Sequence, residues 1–149
     1  MKIRVTKEAV FEMSHALWNY DGLCRNIHGH SYKVVVTVSG TPVNNANDPK
    51  NGMVIDFGDL KKIIKEEITD VFDHSLVIYE KAGKEWIDQL PKITGRLVFT
   101  PYQPTSEMMV ADFADKIMKR LPAGTELVSV KLYETATSSS EWLAADQKT

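Results

Sequence analysis

One cysteine, Cys24, stands in the 149 residues, so no intrachain disulfide can form. Cys24 is then either a small buried hydrophobe or a reactive thiol, and its polar neighbours Arg25 and Asn26 favour the thiol. No apolar run approaches the ~20 residues that cross a bilayer. Nor does a basic start followed by an apolar stretch mark a secretory signal. The expectation is a cytoplasmic protein without membrane partners. Long blocks of Lys or Arg are also missing, and the formal net charge is -2. The chain therefore has no electrostatic footprint for DNA or RNA, which are set aside as partners. Internal repeats, linkers and low-complexity segments are absent too, so residues 1–149 are expected to form one domain. A chain of this length buries a sizeable core without disulfides or a structural metal. With 43% hydrophobic and 26% charged residues the composition is that of an ordinary globular protein. Stability alone leaves the placement of its four histidines unexplained.

What is present is patterning. From Ile3 to His15 the odd positions are apolar except Lys7 and end in Met13 and His15, while the even ones are mostly polar; this predicts a strand with one buried face. A second strand is predicted over about His28 to Ser39, where Tyr32, Val34, Val36 and Val38 share a parity with His28 and His30. After a turn-rich stretch, Phe57, Leu60, Ile64, Ile68, Val71 and Phe72 recur at helical spacing behind an Asp56 N-cap, giving a helix over about 57–72. Between Ser75 and Pro104 a short helix around Trp86, Ile87 and Leu90 and a strand in "RLVFT" are expected. A second helix carries Val110, Phe113, Ala114, Ile117 and Leu121 behind a Thr105/Ser106 cap and ends at Pro122 and Gly124. "ELVSVKLYE" closes the order as a strand with Val128, Val130, Leu132 and Glu134 on one parity. These elements predict an α+β fold, a mostly antiparallel four-stranded sheet with two helices on one face.

The chemistry concentrates in "CRNIHGHSYK", residues 24–33. His28 and His30 stand two apart on a strand and so point to one face, about 7 Å apart at the backbone, close enough for two imidazoles to reach one metal ion. Gly29 between them leaves room for close approach. A hairpin joining the two strands brings His15 opposite the pair, which makes three nitrogen ligands. Any one of these alone reads as a satisfied core histidine; three at the same ends of adjacent strands read as a metal site with an open position. His74 follows Asp73 at the end of the first helix. By itself it reads as a cation at a helix C-terminus, and an Asp73 to His74 hydrogen bond requires the chain to have left the helix there. Glu134 ends an apolar face, where it needs a partner or lies beyond the sheet in water. Glu107 is an acid in the first turn of a helix. Either carboxylate suits a guanidine-like ring edge held by two parallel hydrogen bonds.

Read in order, "FEMSH", "CRNIHGHSY", "DFGDLK", "DH", "PTSE" and "YET" resemble the 6-pyruvoyltetrahydropterin synthase and 6-carboxytetrahydropterin synthase family over Phe11 to Glu134. The resemblance implies a tunnelling fold whose four-stranded antiparallel sheets join edge to edge into a barrel-like oligomer, commonly a homohexamer of two trimers. It implies Zn2+ held by His15, His28 and His30. Cys24 would be the base at the substrate side chain, with Asp73 and His74 as catalytic partners that meet it across a subunit interface. Glu134 would anchor the pterin, aided by Thr105, Ser106 and Glu107. The implied substrate is 7,8-dihydroneopterin triphosphate. Three residues separate Cys24 from His28, a compact spacing that resembles the bacterial 6-carboxytetrahydropterin synthases of queuosine and deazapurine biosynthesis; the pyruvoyl-forming animal enzymes have a longer gap. The expected products are therefore 6-carboxy-5,6,7,8-tetrahydropterin, acetaldehyde and triphosphate. The alternatives are a pyruvoyl-forming or related dihydropterin side-chain lyase and a non-catalytic zinc- or pterin-binding protein. Binding alone requires neither Cys24 nor the Asp73–His74 pair. The chain departs from the family pattern in "FEMSH", which lacks the usual small pair before its histidine, at Val77 and Met108, where Asn is usual, and in a longer stretch from Tyr79 to Tyr102. For the triphosphate there are Arg25 and Lys33 but no Gly-rich loop.

Overall fold

The computed structural model describes residues 1–148. Alternation of apolar and polar residues builds a long hairpin in which β1 (Ile3–His15) and β2 (His28–Gly40) pair antiparallel, from Ile3 opposite Gly40 to His15 opposite His28. The two-residue period sends Phe11, Met13 and His15 of β1, and Tyr32, Val34, Val36 and Val38 of β2, into the core. The remaining strands are β3 (Ser75–Tyr79), β4 (Leu97–Thr100), β5 (Thr125–Tyr133) and β6 (Ser139–Leu143), in the sheet order β4-β3-β1-β2-β5-β6.

The sheet is thus six-stranded and mixed, which corrects the four-stranded antiparallel expectation. β1, β2, β5 and β6 form an antiparallel set, while β3 runs parallel to β1 and β4 parallel to β3. The expected "RLVFT" strand is present but takes the parallel edge. β3 escaped the sequence reading because it is buried on both faces: Val77 faces the main core, and Leu76 and Ile78 face a second cluster, so its sequence is a continuous apolar run without alternation. β6 is half-exposed and largely polar, which leaves no apolar period to detect. In β5 a register shift opposite Thr37 and Val38 inserts Val128 as an extra residue, so Leu127 rather than Val128 joins Val130 and Leu132 in the core.

Helix α1 (Phe57–Ile64) starts where the Asp56 side chain accepts the Gly58 amide at 2.7 Å. It passes through a π-helical turn (Lys65–Thr69) into α2 (Asp70–Phe72), which together span the predicted helix. Leu60, Ile64, Ile68 and Phe72 face the sheet, whereas Phe57 is 52% exposed at the helix start. A short helix α3 (Lys84–Ile87) precedes β4, and α4 (Ser106–Met118) follows it behind a Thr105 cap. α1 and α4 cover the face that carries Phe11 and Tyr32. Their aromatic rings interlock: Phe11 stacks on Tyr32 at 5.1 Å, Phe113 meets Phe11 at 6.2 Å and Phe72 at 5.3 Å. The second cluster gathers Ala16, Leu76, Ile78, Ala82 and Leu90 with Trp18, Trp86, Ile87 and Leu97. There Trp18 meets Trp86 edge-on at 5.0 Å, and Gly83 leaves the space that the Trp18 ring fills. No helix among the described residues is long and apolar enough to cross a membrane.

Phe113, at the centre of the ring chain, sets a test of this packing. Phe113→Ala should lower the unfolding free energy by about 3–5 kcal/mol, read as a lower urea midpoint at fixed protein concentration, while Phe57→Ala should change it by less than about 1 kcal/mol. An unchanged midpoint for Phe113→Ala would contradict its central place.

Candidate functional site

The hairpin delivers three histidines to one point. His15 and His28 form the last rung of the β1–β2 ladder, and His30 faces the same side one pleat further along β2, opposite Met13. The three ring centroids lie 4.7, 4.9 and 5.4 Å apart, and one ligand nitrogen from each lies within 4.8 Å of the others. His15 is buried, and His28 and His30 are half-buried.

Backbone carbonyls set the tautomers. His15 Nδ1 lies 2.7 Å from the Pro104 carbonyl, and His28 Nδ1 lies 2.7 Å from that of Asn26. A carbonyl only accepts, so each Nδ1 carries a proton and each ring directs its Nε2 inward, the atom that would ligate a metal. Those two Nε2 atoms are 3.1 Å apart, a separation at which two lone pairs repel unless a cation stands between them. His30 Nε2 is buried without a hydrogen-bond partner, for Glu134 Oε1 at 3.6 Å is beyond hydrogen-bonding range. An orphaned buried nitrogen of this kind costs about 1–3 kcal/mol. Burial pushes the His15 imidazole down to about 4, with His28 and His30 adding to the depression and the Pro104 bond opposing it, so the ring is neutral at physiological pH. Three imidazole nitrogens converging on one point fit a divalent transition metal with a position left open.

Around this centre stand Glu134, Tyr32 and Cys24. The β2–β5 ladder ends at Lys33 opposite Tyr133, which sets Glu134 one step further, beside Tyr32 and within 3.6 Å of His30. Tyr32 is buried, its hydroxyl has no hydrogen-bond partner, and burial pushes its phenol up, with Glu134 and Cys24 adding to the shift. Cys24 is half-buried on a 3-10 turn (Leu23–Arg25) whose carbonyl at Cys24 accepts the Leu17 amide at 3.0 Å. Gln103 clamps the start of the same loop: its Oε1 accepts the Trp18 amide at 3.0 Å and its Nε2 donates to the Trp18 carbonyl at 2.7 Å. Gln103 and Pro104 thus hold both the Cys24 loop and His15, one of the three histidines that could hold a metal.

Asp73 and His74 lie elsewhere in the chain. The helix ends at Phe72, Asp73 is extended, and the pair meets at 3.1 Å, as the sequence reading required of a chain that has left the helix. His74 takes a left-handed conformation (φ 57°), held by its amide donating to the Glu12 carbonyl at 2.6 Å, while Asp73 accepts the Glu12 amide at 2.9 Å. That backbone bond, then His74, draws the Asp73 carboxyl below its ordinary range. The exposed His74 ring lines a depression with Gly29, His30 and the outward-facing Glu12, Ser14 and Ser31, whose strand parity sets them on the face opposite the histidine side chains. A Cβ at Gly29 would meet the Met13 carbonyl at an ordinary 3.5 Å, so Gly29 frees space on this outer face rather than at the metal centre. Lys33 also lies away from the centre, over the Tyr133 ring.

The Thr105–Glu107 segment contributes little to the centre within one chain. Thr105 caps α4, Ser106 Oγ meets Ser140 Oγ at 2.6 Å, and exposed Glu107 lines a crevice with β6. Its neighbour Pro104 makes the contact with His15. Sequence reasoning noted Tyr32 as a core residue and did not single out Gln103 or Pro104; the usable signal was the parity that Tyr32 shares with His28 and His30.

Comparison with known proteins follows this geometry. A family model described as 6-pyruvoyl tetrahydropterin synthase matches residues 4–144. The 6-carboxy-5,6,7,8-tetrahydropterin synthase of Haemophilus influenzae is 36% identical, covering 93% of this chain and 97% of its own. The 6-pyruvoyl tetrahydrobiopterin synthase of Pongo abelii is 34% identical, over 89% and 85% of the two chains. Among solved structures, an uncharacterized protein from Wolinella succinogenes superposes with a TM-score of 0.75 at 22% identity, over 97% of this chain and 99% of its own. The Caenorhabditis elegans 6-pyruvoyl tetrahydropterin synthase superposes at 0.66 and 23%, over 97% and 96%. Those two structures are likenesses of fold.

One divalent transition-metal ion should bind per chain, and His30→Ala should weaken that binding more than about 100-fold. Because protons compete for the same Nε2 lone pairs, affinity should fall as the pH is lowered. Competition against a chelator with metal analysis reads both effects; undiminished affinity in His30→Ala would move the site elsewhere.

Proposed function

Because the chain belongs to the 6-pyruvoyl tetrahydropterin synthase family of pterin side-chain lyases, we propose that it is a zinc-dependent 6-carboxytetrahydropterin synthase. It converts 7,8-dihydroneopterin triphosphate to 6-carboxy-5,6,7,8-tetrahydropterin, releases acetaldehyde and triphosphate, and feeds queuosine or deazapurine biosynthesis in the cytoplasm. The observation that carries this reading is the convergence of three histidines, two of them tautomer-fixed by backbone carbonyls, beside the Glu134 carboxylate. Support also comes from the 36% identity to the Haemophilus influenzae enzyme and from the three-residue gap between Cys24 and His28.

His15, His28 and His30 would hold zinc, which when bound would supply Lewis acidity toward the two side-chain hydroxyls of the substrate and so acidify the adjacent C–H bonds. Glu134 accepts two parallel hydrogen bonds from the pterin ring edge and so orients the side chain toward the histidines. Thr105, Ser106 and Glu107 border the ring. Cys24, as thiolate, takes a proton from the side chain. His74, held by Asp73, handles a second proton. Since the Asp73–His74 pair stands on the outer face of its own sheet, the pair that serves Cys24 comes from a neighbouring subunit. Edge-to-edge assembly of the sheets into a hexamer of two trimers brings the two together. A second reading, the pyruvoyl-forming reaction, is favoured by the 34% identity to the Pongo abelii protein.

Mass spectrometry after incubation with 7,8-dihydroneopterin triphosphate should find zinc-dependent 6-carboxytetrahydropterin and acetaldehyde; a pyruvoyl product would select the second reading. Cys24→Ala should retain zinc and lose about 10²–10⁴ in kcat. Co-expressed Cys24→Ala and His74→Ala chains, each inactive alone, should regain part of the activity in mixed oligomers. No recovery would mean that both residues act from one chain.

A further inference from the structure

Among the described residues, two buried polar side-chain atoms lack a hydrogen-bond partner, and they stand two residues apart on one face of β2: His30 Nε2 and the Tyr32 hydroxyl. A metal ion accounts for the first. The second calls for a different partner. The Tyr32 ring is 1% exposed and held on several sides: Phe11 stacks on it at 5.1 Å and 7°, His30 meets it edge-on at 5.6 Å and His15 at 6.3 Å. Phe would fill the same space without the cost of an orphaned hydroxyl, so packing gives no reason for the oxygen. The only carboxylate that the β2–β5 register sets beside Tyr32 is Glu134, whose Oε1 lies by His30. An ionised carboxylate accepts at both oxygens and has capacity for a donor in addition to a bidentate ring edge.

We propose that Tyr32 is a positioning residue whose hydroxyl donates to the Glu134 carboxylate when a pterin is bound, fixing it in the plane that two parallel hydrogen bonds to the ring edge require. The inference rests on the pterin-lyase reading and adds to it a residue that acts through Glu134. The rigid, stacked ring makes the hydroxyl a fixed donor, so the carboxylate loses little freedom on taking the ligand. A phenol keeps its proton at neutral pH, so the hydroxyl is a donor there.

The test uses the full-length, zinc-loaded protein and 7,8-dihydroneopterin, which lacks the triphosphate, as the binding probe. Tyr32→Phe should keep one zinc per chain and a melting temperature equal to or above that of the wild type. It should bind the probe about tenfold more weakly and raise KM for the triphosphate substrate about tenfold with a smaller change in kcat. In a Glu134→Gln background the same substitution should have little further effect. Unchanged probe binding and KM in Tyr32→Phe, or a loss of equal size with and without Glu134, would overturn the proposal. Binding that is lost in Glu134→Gln yet intact in Tyr32→Phe would overturn this inference alone, whereas a wild-type protein that binds no dihydroneopterin would overturn the lyase reading with it.

Discussion

The antiparallel register of β1 and β2 is the constraint on which the rest depends. Their ladder begins at Ile3 and Gly40 and ends at the His15–His28 rung, and the same parity that buries Phe11, Tyr32, Val34, Val36 and Val38 turns the three histidines inward. A slip of one residue would send every one of these side chains to the opposite face. Burial of each large apolar side chain is worth about 1.5–3 kcal/mol, so the five together far exceed the cost of holding two Nε2 lone pairs 3.1 Å apart. The hydrophobic pattern therefore imposes a nitrogen arrangement that is unfavourable by itself and is relieved by a cation. This is preorganisation of a metal site by core packing.

A second dependence runs through residues 103–104. One side-chain amide brackets Trp18, and the next carbonyl accepts a hydrogen bond from His15 Nδ1–H. The loop that carries Cys24 and the ligand at the foot of β1 thus share a support, and the Trp18 ring at the start of that loop is seated against Trp86 in the smaller core. The stretch from Tyr79 to Tyr102 supplies Trp86, Ile87, Leu90 and Leu97 to that core.

Val77 and Met13 likewise sit where packing accounts for an apolar residue. Val77 is fully buried in the main core, where an Asn side chain would need buried partners. Met13, in "FEMSH", is 3% exposed and fills core space ahead of His15. Met108 lies 46% exposed on α4, away from the sheet. None of these positions alters the three imidazoles, Glu134 or the Asp73–His74 pair.

The sequence by itself determined the hairpin, both main helices with their Asp56 and Thr105 caps, and the convergence of His15, His28 and His30. Each of these is written in a local period or a short-range cap, and such signals survive without knowledge of the rest of the chain. Strand β3, the parallel placement of β4, the bulge at Val128 and the edge strand β6 were decided by the tertiary structure, because burial on both faces, an extra residue or a polar edge erases the alternation that marks a strand, and strand direction is set by the connections between elements. The site divides in the same way. Parity along β2 and β5 is enough to name Glu134 and Tyr32 as neighbours of the triad. The support from Gln103 and Pro104 depends on contacts between segments 85 and 89 residues apart. No local period encodes contacts of that range.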